Sequence, residues 1–258
     1  ETSRNSEKHF EAAKIYVNLE RTNPLHYRYK FPDIAPGVLR SLLRHKVAQQ
    51  STAFRLVMLR VIFDNEGNRR KLADFAAVDG YVDLLNQLTK DGDTTLVNHA
   101  LALLTTLTRP FCICDGESTN RLSENQNLLL NYLATKQELN EALERICTDI
   151  HLKPTSVQHH VMWLLVNVSI NNAGACFVTD TLMPWFMHLK WITPVTGKRL
   201  LMLASNICYH SLDRPANVRR CLRHIIALCT KHPMDAVASK CYGNVLGSVG
   251  LHVAGGTR

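Results

Sequence analysis

Apolar residues recur along most of the chain with a period of about 3.6 residues, which is the period of an α-helix. Regular alternation of apolar and polar residues, which is typical of a strand, is almost absent. The pattern therefore predicts an all-α fold. Helices are predicted at residues 6–20, 36–47, 51–64, 68–77, 79–90, 94–108, 124–134, 136–150, 155–170, 174–188, 196–210, 215–231 and 233–248.

Short polar segments separate the predicted helices. Turns are predicted at Asp64–Gly67, Asp79-Gly80 and Asp91–Asp93, because Gly, Asn and Asp readily adopt the backbone conformations of turns. Residues 109–124 form the longest predicted loop, and the glycine-rich residues 249–258 predict a flexible tail. The other connections are short, as is typical of successive helices that pack side by side.

One position recurs in several of the predicted helices. Asn167, Asn206 and Asn244 each precede an aliphatic residue, and they lie 39 and 38 residues apart. Thr106 and Arg60 occupy the same place in two earlier apolar helices. Spacings near 40 residues are typical of helical repeat proteins. The sequence therefore predicts a stack of similar helical units.

The clearest unit covers residues 157–190 and has three features in a fixed order. Trp163 stands four residues before Asn167 in a long apolar helix, Asn171-Asn172 follow as a turn, and Leu182-Met183-Pro184 lead into the next apolar segment. With these residues the chain resembles the armadillo-repeat family. The resemblance implies an irregular armadillo/HEAT-like α-solenoid, a right-handed superhelix of about five units.

The resemblance also implies a division of the chain. Residues 36–248 would form the solenoid, with a long loop near 109–124. Residues 1–35 would be an N-terminal arm or capping helix, and residues 249–258 a tail. One unit cannot bury its apolar face alone, so stacked units share a continuous core and leave a long concave surface.

In armadillo proteins the third helices of the units line this concave surface, where Asn side chains bind the backbone of an extended peptide. The resemblance implies this role for the recurring Asn position, since an amide both donates and accepts hydrogen bonds. Residues one and two helical turns earlier lie on the same helix face. The predicted partner-binding residues are Arg60, His99, Thr106, His160, Trp163, Asn167, Arg199, Met202, Asn206, Lys240 and Asn244.

These residues also have a structural interpretation. An Asn within a helix can hydrogen-bond to its own turn or to the end of a neighbouring helix. A Trp such as Trp163 is more often part of a core than a binding platform. The sequence leaves both interpretations open for the Asn positions and for Trp163.

The charge of the chain indicates the kind of partner. The sequence has 30 Lys and Arg against 22 Asp and Glu, a net charge of +8. Arg60, Arg199 and Lys240 would make the predicted groove basic, so we expect it to bind an extended acidic or phosphorylated segment of another protein. Two alternatives are nucleic-acid binding through basic helix stripes such as Arg219 and Arg223, and a self-associating scaffold whose groove holds another copy or its own N-terminal arm.

Motifs for catalysis or cofactor binding are missing from the sequence. We therefore predict a non-enzymatic adaptor or scaffold with no cofactor and no metal. Cys112-x-Cys114 has a spacing that could bind metal, but no second ligand pair with zinc spacing follows it. Most cysteines lie among apolar residues, which favours reduced thiols and an intracellular location in the cytoplasm or nucleus. No apolar run is long enough to predict a membrane span.

Overall fold

The structure is a computed structural model, and all its regular elements are helical over the residues that it describes. The prediction of an all-α fold is confirmed to that extent. The chain divides into two compact units, residues 1–120 and residues 121–258. The described residues are 2–22, 31–36, 38, 51–70, 75–109, 124–189, 192–210 and 216–249.

The N-terminal unit begins with a long helix that packs on the next described helix. Phe10, Ala13 and Val17 recur at helical spacing, and all three are buried. The ring of Phe10 meets the ring of Phe54 edge-on, with 6.3 Å between centroids. The described helices of this unit are α1 (Thr2–Thr22), α2 (Thr52–Asp64), α3 (Glu66–Arg70), α4 (Phe75–Asp91) and α5 (Thr94–Thr108).

Side-chain caps and one glycine define the ends of these helices. Ser51 Oγ accepts a hydrogen bond from the backbone N–H of Phe54 at the start of α2. Asp93 Oδ1 accepts one from the N–H of Leu96 at the start of α5. Gly92 has φ of 75°, the left-handed conformation that ends α4 and that glycine adopts without strain. The predicted turn at Asp91–Asp93 therefore lies where the chain changes helix.

The predicted turn at Asp79-Gly80 is wrong, because both residues lie inside α4. Val78, Val82 and Leu85 are buried and form one apolar face that continues past Gly80. A glycine within a helix costs about 1 kcal/mol relative to alanine. Burial of several large apolar side chains outweighs that cost.

A buried asparagine joins the segment 31–34 to the end of α2. Asn68 is fully buried, and its Oδ1 accepts a hydrogen bond from the N–H of Ile34 at 3.0 Å. Its Nδ2 donates to the carbonyls of Pro32 and Ile62, each at 3.0 Å. All the hydrogen bonds of its side-chain amide are to backbone groups, so this amide fixes the path of the segment across the helix end.

The C-terminal unit contains the clearest predicted repeat. Within it α11 packs against α8, α12 and α13. Its helices are α6 (Glu124–Ala134), α7 (Gln137–Thr148), a 3₁₀ turn (Ile150–Leu152), α8 (Thr155–Val168), α9 (Asn172–Phe177), a π-helical turn (Val178–Leu182), α10 (Met183–Phe186), α11 (Pro194–His210), α12 (Ala216–Cys229) and α13 (Ala236–Ser248).

The single helix predicted at 174–188 is divided by the π-helical turn. Pro184 has no backbone N–H, so it cannot donate to the carbonyl four residues earlier, and the regular α-helical pattern is interrupted near it. A wider turn accommodates such an interruption. The result is α9, the π turn and α10 in place of one straight helix.

The start of α9 lies against the end of α8. Asn171 Oδ1 accepts a hydrogen bond from the N–H of Gly174 at 2.9 Å and so caps α9. A Cβ atom placed on Gly174 would lie 1.8 Å from the carbonyl oxygen of Val168. The close approach of the two backbones therefore requires glycine at this position.

Candidate protein-binding face

Arg199 on α11 stacks on Trp163 on α8. The guanidinium carbon lies 3.9 Å from the centroid of the indole ring, and both side chains are half-buried. Arg199 Nη2 also lies 3.4 Å from Nε2 of His159, which precedes Trp163 by one helical turn. A planar cation over an indole face is a favourable arrangement that also fixes the direction of the remaining N–H groups.

No acidic side chain is paired with Arg199 among the described residues. Its Nε is buried and has no hydrogen-bond partner in that part of the chain. Burial lowers the pKa of Arg199 to about 10, so the group is still cationic at neutral pH. A fixed, partly desolvated cation without a counter-ion is suited to binding an anion.

Burial and the nearby Arg199 also determine the charge of His159. Burial lowers its pKa below the ordinary value of 6.5, and the positive charge of Arg199 lowers it further. His159 is therefore neutral at pH 7 and can accept a hydrogen bond from Arg199. The neighbouring His160 is half-buried and meets the ring of His159 edge-on, with 5.2 Å between centroids.

The three recurring asparagines have different environments. Asn167 is buried, with 4% of its surface exposed. Asn206 is half-buried, and its Nδ2 donates to the carbonyl of Val166 at 3.1 Å and to Oγ of Ser169 at 3.0 Å. These two bonds use both N–H groups of that amide to hold α11 against the end of α8.

Asn244 and Lys240 on α13 are more accessible than Asn167 and Asn206. Asn244 is exposed, and its Nδ2 donates to Oγ of Ser205 at 3.2 Å. Lys240 is exposed on α13, and Met202 is half-buried on α11. Side-chain contacts thus bring Trp163 and Arg199 together, while Lys240 and Met202 lie on the helices beside that pair.

The remaining predicted residues belong to the N-terminal unit. Arg60 is half-buried, and burial lowers its pKa while the nearby Asp64 opposes that change. His99 is half-buried on α5. Thr106 is buried and donates its hydroxyl hydrogen to the carbonyl of Ala102 at 2.9 Å, so its side chain bonds to its own helix.

His159 belongs to this cluster, although it is not among the residues predicted from the sequence. Its position could have identified it, because residues four apart on a helix lie on one face and His159 precedes Trp163 by four. The contact with Arg199 joins residues 40 positions apart. This separation in sequence is close to the predicted repeat length. A repeat length alone, however, does not show which side chains are in contact.

Three buried cysteines of the C-terminal unit have raised pKa values. Burial raises the pKa of Cys147, Cys221 and Cys229 to about 12, so these thiols stay protonated. No group of three His, Cys, Asp or Glu side chains there is arranged to hold a metal ion. Cys112 and Cys114 lie outside the described residues, as does most of the predicted loop 109–124.

No helix in the described part of the chain combines the length and the apolar character needed to cross a bilayer.

Comparisons with known proteins bear on the fold alone. No protein-family model matches the sequence, and the sequence of no curated protein matches it. The crystal structure of an engineered protein from the Northeast Structural Genomics Consortium is similar, with a TM-score of 0.56 at 12% identity. The similarity covers 93% of this chain and 90% of that one.

Proposed function

We propose that this chain is an armadillo-like protein-binding module, a right-handed solenoid of about five units with no catalytic activity. It acts inside the cell, in the cytoplasm or nucleus, as an adaptor or scaffold. Its ligand is an extended acidic or phosphorylated segment of another protein. Support for the repeat comes from hydrogen bonds between helices at similar separations, 40 residues for Asn206 with Val166 and 39 for Asn244 with Ser205.

The stacked Arg199 is the observation that carries the proposal. Trp163 holds its guanidinium in one orientation, and no described carboxylate neutralises it. Buried cations are normally paired with an anion. A carboxylate or phosphate from a partner would supply that pair, and a hydrogen bond from a fixed guanidinium is both strong and directional.

Charge around α11, α12 and α13 supports the same ligand. Asp235 is the single acidic residue in the ranges 192–210 and 216–249. The same ranges contain seven cations: Lys198, Arg199, Arg219, Arg220, Arg223, Lys231 and Lys240. Such an excess attracts an acidic segment and raises its rate of association at low salt.

The asparagines would contribute contacts to the peptide backbone. Nδ2 of Asn206 is engaged within the protein, which leaves its Oδ1 to accept a hydrogen bond from a peptide N–H. Asn244 is exposed and makes one described hydrogen bond through Nδ2, so its amide has further capacity to donate and accept. In this arrangement Arg199 binds the side chain and the two amides bind the backbone.

Calorimetry with a hexaglutamate peptide tests the proposal. We expect Arg199→Ala to weaken binding by about tenfold, the value of one charge-assisted hydrogen bond. Arg223→Ala is the matched control, because Arg223 is an exposed cation on α12. Hexaglutamine serves as the uncharged ligand. Equal losses of affinity in both variants would show that the peptide is attracted by the overall charge alone. That result would refute the proposed site.

Nucleic-acid binding is a second candidate function, favoured by one observation. Arg219, Arg220 and Arg223 are all exposed on α12. A mobility shift with single-stranded DNA would support this function if Arg219→Glu with Arg223→Glu abolished it and if affinity fell steeply with salt. Absence of a shift at low salt would exclude it.

A further inference from the structure

A cavity of about 450 Å³ opens at one edge of the C-terminal unit, where α11 begins, α12 ends and α13 begins. Pockets that hold ligands commonly have volumes in this range, about 300–1,000 Å³. Its lining includes Val195, Lys198, Leu201, Cys229, Asp235 and Ala238.

The cavity wall is mainly apolar, and three of its four polar or titratable side chains, those of Lys198, Cys229 and Asp235, have partners within the protein, while His232 contributes an imidazole. Nζ of Lys198 lies 2.5 Å from Oδ2 of Asp235 at the rim. The thiol of Cys229 donates to the carbonyl of Gly197 at 3.4 Å. Because most of the wall is apolar and three of its four polar side chains already have partners, the wall favours an apolar occupant over a polar one.

An exposed valine extends the apolar surface out of the cavity. Val195, in the first turn of α11, is 50% exposed and lines the opening. Val237, in the first turn of α13, is 48% exposed but does not line the cavity. An apolar cavity that continues onto an exposed apolar rim is typical of a site that receives a side chain from a partner.

The charged residues at the rim indicate which groups of the partner would lie around its apolar side chain. Asp235 is the single acidic residue in the ranges 192–210 and 216–249, and Lys198 already bridges it. Lys231 is exposed directly before the lining segment 232–235. The exposed Lys198–Asp235 bridge holds little energy, so a carboxylate from a partner can share the Lys198 ammonium.

We propose that this cavity, the α11–α13 edge cavity, binds a bulky apolar side chain, of the size of Phe or Trp, carried by an acidic segment of a partner protein. The apolar side chain fills the volume beside Leu201 and Ala238, and flanking carboxylates lie near Lys198 and Lys231. The site includes none of Trp163, Arg199 or the asparagines. A test of this cavity therefore does not depend on whether those residues bind a partner.

Two-dimensional NMR with short capped peptides tests this proposal. The probe is Ac-Glu-Glu-Phe-Glu-Glu-NH₂, with Ala in place of Phe as the first control and Lys in place of Glu as the second. We expect the Phe peptide to shift the methyl signals of Val195 and Ala238 in a saturable manner. We expect the Ala and Lys peptides each to bind at least about tenfold more weakly.

Two valine variants provide matched controls in the protein. Val195→Glu should weaken binding of the Phe peptide at least about tenfold, because it places a charge at the apolar opening. Val237→Glu introduces the same charge at similar exposure outside the lining, and it should change affinity less than about twofold. If Val195→Glu does not fold by circular dichroism, Val195→Ala replaces it with an expected loss of about threefold.

Three results would overturn the proposal. Equal affinity for the Phe and Ala peptides would show that charge alone attracts them. Equal losses in the two Glu variants would show that the lining is not the contact. Concentration-dependent self-association, lost in Val195→Glu and measured by sedimentation, would identify a second copy of the chain as the occupant.

Discussion

The guanidinium of Arg199 lies over the indole ring of Trp163, 3.9 Å from its centroid, and thereby links two neighbouring helices of the C-terminal unit. The pair has two consequences. It adds packing area between α8 and α11, and it holds a cation with no described acidic partner. The same contact therefore contributes both to stability and to the proposed binding of acidic segments.

Replacement of Asn206 by alanine should destabilise the protein. The change removes both hydrogen bonds of Nδ2, so the Ser169 hydroxyl loses its donor, while the Val166 carbonyl still accepts a hydrogen bond from Ser169 Oγ at 3.0 Å. The expected cost is about 1–2 kcal/mol in the free energy of unfolding. Asn244→Ala is the matched control, because that exposed side chain makes one described hydrogen bond and should cost no more than about 0.5 kcal/mol. Urea unfolding measures both, and equal costs would contradict the structural role of Asn206.

Two glycines should respond in opposite ways to substitution by alanine. Gly174→Ala places a Cβ 1.8 Å from the carbonyl oxygen of Val168, so we expect a loss of at least about 2 kcal/mol. Gly243 lies within α13 with no atom within 4 Å of an added Cβ. Gly243→Ala should stabilise by about 0.5–1 kcal/mol, because alanine favours the helix. Thermal unfolding gives the sign of each change, and a neutral Gly174→Ala would contradict the close approach of α8 and α9.

His159 should titrate below the ordinary pKa of 6.5. The groups that face it are Arg199 from α11 and His160 from its own helix. Because the folded state holds His159 neutral, its contribution to stability is complete above pH 6.5 and is lost as pH falls through the lower folded pKa. Arg199→Gln removes the smaller of the two causes, so the pKa should rise but stay below 6.5.

The NMR signal of the His159 imidazole measures that pKa directly. A midpoint for His159 at or above 6.5 would contradict its burial and its contact with the charge of Arg199.

Much of the fold follows from the helical period in the sequence. The predicted segments 94–108 and 124–134 coincide with α5 and α6, since apolar stripes and capping residues act locally. Two predictions were wrong, one because tertiary burial outweighed a local turn signal and one because a proline altered its own helix. Apolar burial carries α4 through Asp79-Gly80, and the missing N–H of Pro184 is accommodated by a π turn.

Less of the candidate sites than of the fold could be predicted from the sequence. Trp163 and Arg199 were both identified from their places in the repeat, yet their stacking depends on packing between two helices. The edge cavity is formed by three separate segments, and nothing in the periodicity of any one of them predicts it. Whether Asn167, Asn206 and Asn244 contact a partner stays a prediction.

The most direct test of the proposed binding site is a ¹H–¹⁵N NMR titration with hexaglutamate that follows the three indole N–H signals. Trp163→Phe assigns the signal of Trp163 among those of Trp185 and Trp191. We predict that the Trp163 signal shifts with saturation in the unaltered protein, and that Arg199→Ala removes this shift. Binding of the peptide with no change in the Trp163 signal would contradict the proposed site.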